Sequence, residues 1–291
     1  METAASDLDH PLPRARRRGS GLLWLAPVLV VFGLFYAVPL VRMVYASVNG
    51  ASVSLVNYQH LVEEDVYATV FLITLRVALL VTVASLAIGY PVAYFLSKLR
   101  GRSLMVALTF VLLPFWTSVL VRNYAWFVLL ARRGVVNSTL MGLGVIDQPL
   151  PLMFNMIGVT IGMTYVLVPF MILSLFSVMR NIDPAHLRAS ASLGASDFQT
   201  FWRIFLPQSL PGVYAGSLLV FITSIGFYIT PALLGGGRVP MMATLIESQV
   251  RDVLNFGMGS ALGTALLVAV LAMYYALDRV LGVEHLFGGR Q

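Results

Sequence analysis

Apolar residues along this chain come in long unbroken runs separated by short polar stretches. That is neither the two-residue alternation of a half-buried strand nor the stripe of a surface helix. Six runs, 22–48, 67–97, 104–130, 156–179, 213–234 and 257–280, meet the roughly twenty helical residues needed to cross about 30 Å of hydrocarbon. The pattern predicts an all-α, polytopic membrane protein with six transmembrane helices. The third run is the least regular, because Pro114, Thr117, Ser118, Arg122 and Asn123 fall inside it, and its outer end is placed near Val121. Pro27, Pro39, Pro91, Pro114, Pro169 and Pro231 read as kinks and not as ends, since neighbouring helices in a bundle satisfy the backbone groups that proline frees.

Composition agrees with the pattern: 58% of residues are hydrophobic and only 11% charged, too little polar surface to cover a water-soluble globule. The net charge of +6 would point to nucleic acid in a soluble chain, but here it sets orientation, so no nucleic-acid partner is expected. With the N-terminus in the cytoplasm, the inner segments hold twelve basic residues: Arg14, Arg16, Arg17, Arg18, Lys98, Arg100, Arg102, Arg180, Arg188, Arg203, Arg279 and Arg290. The outer segments hold Arg122, Arg132, Arg133, Arg238 and Arg251, while Arg42 and Arg76 sit near outer span ends, where long side chains snorkel. Both termini are therefore expected inside. The arginines at 14–18 also suit a signal peptide, but the apolar run that follows is about twice the usual length, so an uncleaved first span is expected. Glu2, Asp7 and Asp9 argue against a transit peptide.

This topology puts the stretch between the fourth and fifth spans in the cytoplasm, where its local signals predict two short helices and a turn. Asp183 is an N-cap with Pro184 at the first helical position, and Gly194 ends the helix. Ser196 with Gln199 three residues on is a capping-box pattern, with Asp197 placed favourably against the helix dipole. Phe198, Phe201, Trp202 and Phe205 then share one face. Pro207 is expected to stop this helix, and Pro211-Gly212 to turn the chain into the fifth span. A plain amphipathic helix resting on the lipid surface fits the same pattern.

Several chemistries are excluded or unsupported. Cysteine is absent, which removes disulfides, thiolate metal sites and a cysteine nucleophile. The only lysine, Lys98, follows Ser97, so no phosphate-binding P-loop is encoded. His10, His60, His186 and His285 are too scattered for a metal motif, and no enzyme active site is apparent. Gly259 and Gly263 match the close-packing GxxxG pattern.

Leu193-Gly194-Ala195, Ile204, Leu206-Pro207 and Pro211-Gly212 resemble the cytoplasmic EAA loop of ABC importer permeases, a coupling helix that sits in a cleft of the ATP-hydrolysing subunit. Where that family usually has Glu-Ala-Ala, this chain has Arg188-Ala189-Ser190, a charge reversal that implies a partner with a matching change. Residues 112–126, continuing through Gly134–Asn137 and Asp147–Leu150, are similar to the third span and outer loop of polyamine-type (spermidine/putrescine) permeases, and Gly226–Gly237 is similar to the outer end of their fifth span. The resemblance covers nearly the whole chain. It implies a type I ABC importer permease fold, with a cytoplasmic tail over 1–21, a permease domain over 22–280 containing the coupling loop 180–212, and a second tail over 281–291. It further implies a bacterial inner-membrane complex with a second homologous permease, two ATPase subunits carrying ATP and Mg, and a periplasmic or extracellular binding protein. No cofactor is expected on this chain.

Polyamine permeases commonly place an acid after the glycine matching Gly226, where this chain has Phe227, and none of the six apolar cores contains Asp or Glu. An opine-like, zwitterionic or anionic solute therefore stands as the alternative, and a stand-alone ion-coupled transporter as the alternative of another class. Phe115, Trp116, Arg122, Tyr124, Trp126, Phe227 and Tyr228 are candidates for the translocation path, the aromatics through cation–π contacts. Packing between helices or an interfacial aromatic belt accounts for the same residues.

Overall fold

The computed structural model describes residues 21–48 and 54–281, every element helical. The tails expected at 1–21 and 281–291 lie almost wholly outside the described residues. Chain order begins with α1 (Gly21–Phe32), a π turn over Gly33–Ala37, α2 (Val38–Val48), α3 (Val56–Glu63) and α4 (Asp65–Lys98). Next come α5 (Gly101–Leu112), a 3₁₀ turn over Leu113–Trp116, α6 (Val119–Leu130), α7 (Val135–Gly142) and α8 (Met156–Met179). The stretch after α8 forms α9 (Pro184–Ser192), α10 (Asp197–Thr200) and a π turn over Phe201–Phe205. The chain closes with α11 (Leu206–Ile225), α12 (Ile229–Gly235), α13 (Met242–Arg251) and α14 (Phe256–Leu281). Five segments are long and apolar enough to cross a membrane, and a sixth arises if a bent pair is counted as one span.

The bundle is organised on α8, which packs most extensively against α4 and α11. Its buried side chains Val159, Met163, Leu167, Met171 and Leu175 recur every four residues, as one helix ridge does. The facing rows are built from small residues: Gly89 on α4 and Gly212 and Gly216 on α11. A Cβ at Gly89 would lie 2.9 Å from Met171 Cγ, and one at Gly212 would lie 3.2 Å from Leu175 Cα. Lipid gives helices no hydrophobic reason to associate, so this close backbone approach, with the dispersion it gains, is what holds the seam. The Gly259/Gly263 pair serves the same end within the chain: Gly263 faces Met43 on α2 and Gly259 faces Val250 on α13.

Several expectations are corrected. The third run is not one straight helix: Gly101–Trp116 and Val119–Gly142 meet at a 95° bend, where Pro114 sits in the 3₁₀ turn and Thr117 and Ser118 are extended. The break thus precedes the expected end at Val121, and Pro114 marks an end, not a kink. The fifth span runs as one helix over Asp197–Ile225 and stops at Gly226, with Pro231 in the separate short α12.

Pro207 does not stop a helix, nor does Pro211-Gly212 turn the chain, because both prolines lie inside α11. The π turn just before Pro207 explains this. Leu206 N–H bonds to the Phe201 carbonyl, five residues back; the widened turn relieves the clash between a proline ring and the carbonyl four residues before it. The same device precedes Pro39, where Val38 N–H reaches the Gly33 carbonyl.

Candidate docking loop and translocation path

The first half of the loop forms as its end signals dictate. The Asp183 carboxylate accepts from Ala185 N–H at 2.8 Å, with Pro184 opening α9. Gly194 takes φ +80°, a left-handed conformation that glycine adopts without steric cost. Ser196 and Gln199 form the reciprocal capping box, at 3.1 and 3.3 Å. Ser190, the last residue of the triplet that replaces Glu-Ala-Ala, is buried and its hydroxyl lies 2.7 Å from that of Thr200, tying α9 to α10. His186 Nδ1 stands 3.1 Å from Gln208 Oε1 and ties α9 to α11.

The loop has two unlike faces. Leu193 is 89% exposed, and Phe198 and Trp202 are also exposed; Arg188 and Ala189 are open and Ala195 is half-buried. On the other side, the Phe201 ring meets Tyr90 and Tyr94 edge-on at 6.2 and 5.6 Å, and Phe205 meets Tyr94 edge-on at 4.9 Å. Tyr90 also shares a 2.9 Å hydrogen bond with Ser209. Ile204 is half-buried in the π turn, while Leu206, Pro207, Pro211 and Gly212 belong to α11, with Gly212 buried in its seam with α8. The inward face is thus fixed to the second span, while the outward face offers apolar side chains to solvent.

The seven path candidates do not come together in one site. Trp116 is 88% exposed and Tyr124 is exposed beside a stacked Phe127. Phe115 packs edge-on against Phe170 of α8 at 5.0 Å. Trp126 meets Tyr165 at 5.5 Å, and both line a cavity of about 360 Å³ with Thr160 and Thr164. The hydroxyls of those two threonines have no hydrogen-bond partner.

Phe227 and Tyr228 sit at the break between α11 and α12. The Tyr228 phenol hydrogen-bonds with Glu247 of α13, which pushes its pKa above the ordinary value, and Arg251 Nη1 donates to the same carboxylate at 3.2 Å. The turn that brings α13, and with it Glu247, back over the α11–α12 break has no short sequence signature. Arg122, counted both among the outer basic residues and among the path candidates, is buried. It is only 9% exposed on α6, and its Nε and Nη1 have no hydrogen-bond partner.

Asn137 is the residue whose importance was least visible. Fully buried, it donates to the Ala131 and Leu150 carbonyls at 3.2 and 3.1 Å and accepts from Leu150 N–H at 2.8 Å. It joins the Gly134–Asn137 and Asp147–Leu150 segments into one loop.

Comparison with known proteins supplies the family. The model described as Binding-protein-dependent transport system inner membrane component matches residues 87–281. The chain is 36% identical over 228 residues to the spermidine/putrescine transport system permease protein PotB of Escherichia coli (strain K12), covering 77% of this chain and 82% of that protein. It is 35% identical over 232 residues to the Haemophilus influenzae protein of the same name, covering 79% and 81%. It is 33% identical over 227 residues to the E. coli inner membrane ABC transporter permease protein YdcU, covering 73% and 71%.

Among solved structures, a chain of a bacterial alginate ABC transporter, in complex with an alginate pentasaccharide-bound periplasmic protein, superposes with TM-score 0.73 at 17% identity, covering 89% of this chain and 93% of that one. One from the inward-facing MetNI methionine ABC transporter gives 0.57 at 17% identity, covering 76% and 96%. At these identities the likeness speaks for the fold, which is that of a type I ABC importer permease. The chain belongs to the family of binding-protein-dependent transport system inner membrane components, and is a multi-pass, non-catalytic permease subunit of an ABC importer in the bacterial inner membrane.

Proposed function

We propose that this permease forms one half of the path of an importer for polyamines of the spermidine/putrescine kind, and that its 180–212 loop is the docking site of a separate ATPase. The observation that carries the reading is the two-faced loop: Leu193, Phe198 and Trp202 are exposed, while Phe201 and Phe205 meet Tyr94 edge-on. Because Asp197–Ile225 runs as one helix, through the π turn at Phe201–Phe205, a push on the loop is carried along it into the membrane. Two ATPase subunits supply ATP and Mg chemistry, a second homologous permease completes the path, and a binding protein delivers the solute from outside. The stand-alone ion-coupled transporter is set aside by the family itself.

The substrate class rests on the names of relatives that match over more than three-quarters of this chain. The carboxylate missing at Phe227 has a substitute one residue on, where Glu247 stands against Tyr228. A second reading, a solute bearing an anionic group such as an opine-like one, is favoured by the unpartnered guanidinium of Arg122.

Gly194 tests the docking role. A Cβ there meets nothing within 4 Å, so Gly194→Trp leaves the bundle packed. Its costs are the left-handed backbone, about 1–2 kcal/mol, and bulk at the docking face. Insertion is expected to persist and ATP-driven uptake to be lost; normal uptake contradicts the docking role.

A further inference from the structure

Behind the docking loop, between the cytoplasmic ends of α4 and α8 and the inner faces of α9 and α10, lies a cavity of about 450 Å³. Lys98, Arg100 and Arg180 line it, with Asp197 as the single carboxylate in its wall. The Lys98 ammonium sits 4.0 Å over the Tyr94 ring. Arg180 donates Nη1 to the Leu99 carbonyl at 3.1 Å, and its guanidinium lies 5.7 Å from the Phe176 ring. These contacts hold two cations in place without neutralising them. Among the described residues the only ion pairs are His60–Glu64 and Arg251–Glu247, so none of the three has a carboxylate within 4.0 Å.

Part of the excess is explained by the carbonyl ends of α4 and α8, which favour cations. Asp197 is engaged differently, in the first turn of α10, where the helix N-terminus attracts a negative charge. Three cations and one acid still leave the cavity net positive. The exposed apolar side chains of the docking loop do not line it, so an occupant and the ATPase use opposite faces of the same loop.

An oxyanion suits this setting. Arginine presents a planar fork of donors and lysine a compact point charge, a combination that matches phosphate. Basic pockets between helices at the cytoplasmic membrane boundary are reached by anionic lipid headgroups. We infer that this cavity binds a phosphate group, carried by an anionic phospholipid headgroup or by a free phosphate, and so links the docking loop to the ends of α4 and α8.

The test uses the chain with its co-purifying subunits, stripped of lipid in neutral detergent and examined by native mass spectrometry. Phosphatidylglycerol is expected to bind in preference to phosphatidylcholine. Lys98→Gln and Arg100→Gln should each weaken binding by about fivefold, the worth of one basic residue near an anionic surface. Lys98→Arg, which keeps the charge, should retain it, and Arg279→Gln, on α14 away from the cavity, should leave it unchanged. Displacement of the lipid by millimolar inorganic phosphate supports a site open to free phosphate, and resistance to displacement supports the headgroup alone. The inference is overturned if neither phosphatidylglycerol nor phosphate binds, or if Lys98→Gln and Arg100→Gln, with unfolding temperatures unchanged, keep wild-type binding.

Discussion

Replacing Phe201 by leucine tests whether the docking loop drives the spans through the aromatic contacts on its inner face. The substitution keeps an apolar side chain of similar reach but removes the two edge-on pairs that reach the second span, with Tyr90 at 6.2 Å and 88° and with Tyr94 at 5.6 Å and 82°, along with ring contacts to Trp202 and Phe205 inside the loop's own helix. Such pairs are worth about 0.5–1.5 kcal/mol each beyond area burial, so about 1–3 kcal/mol of the tie between loop and second span is lost. As a coupling energy between two sites this is about 5- to 150-fold. Phe205 still meets Tyr94 at 4.9 Å, so the loop stays folded and the ATPase still docks. In proteoliposomes containing the complete importer, the solute imported per ATP hydrolysed is expected to fall at least to the lower end of that range, about fivefold, while basal hydrolysis persists. An unchanged ratio in a folded, docked variant refutes the coupling route through Phe201.

Gly212→Val places a side chain where a Cβ already stands 3.1 Å from Val178 Cβ and 3.2 Å from Leu175 Cα; overpacking of about 1–3 kcal/mol should lower the unfolding temperature, with isolated ATPase binding retained, as read by a thermal scan and a pull-down. Thr74 is fully buried and accepts the Met242 N–H at 2.9 Å, so Thr74→Val strands a donor at a cost of about 1–3 kcal/mol. A lowered thermal midpoint is expected, and Thr74→Ser should recover most of it. Arg122→Met removes a buried charge without a partner and is expected to leave thermal stability equal or higher, while uptake falls if the anionic-solute reading holds; unchanged uptake removes that reading.

Much of this arrangement was legible because membrane helices announce themselves by length and helix ends by their caps. The runs at 156–179 and 257–280 correspond to α8 and α14 nearly to the residue, since hydrocarbon leaves a single chain few alternatives to helix. Asp183, Gly194 and the Ser196/Gln199 pair fixed the loop's local shape through contacts three or fewer residues apart, which are short enough to read. The fate of Pro207 was not, because the π turn that accommodates it carries no distinctive residue pattern. The 95° break at Thr117–Ser118 was visible only as irregularity. Glu247 beside Tyr228, Asn137 across the outer loop and the burial of Arg122 depend on tertiary return of distant segments, which no local pattern encodes.

The most direct test is uptake of labelled putrescine and spermidine by proteoliposomes holding this permease, its co-purified partners and the cognate binding protein. Saturable uptake that requires ATP and the binding protein is predicted. ATP hydrolysis that responds to the binding protein while both polyamines stay outside would contradict the substrate assignment and turn attention to solutes with an anionic group.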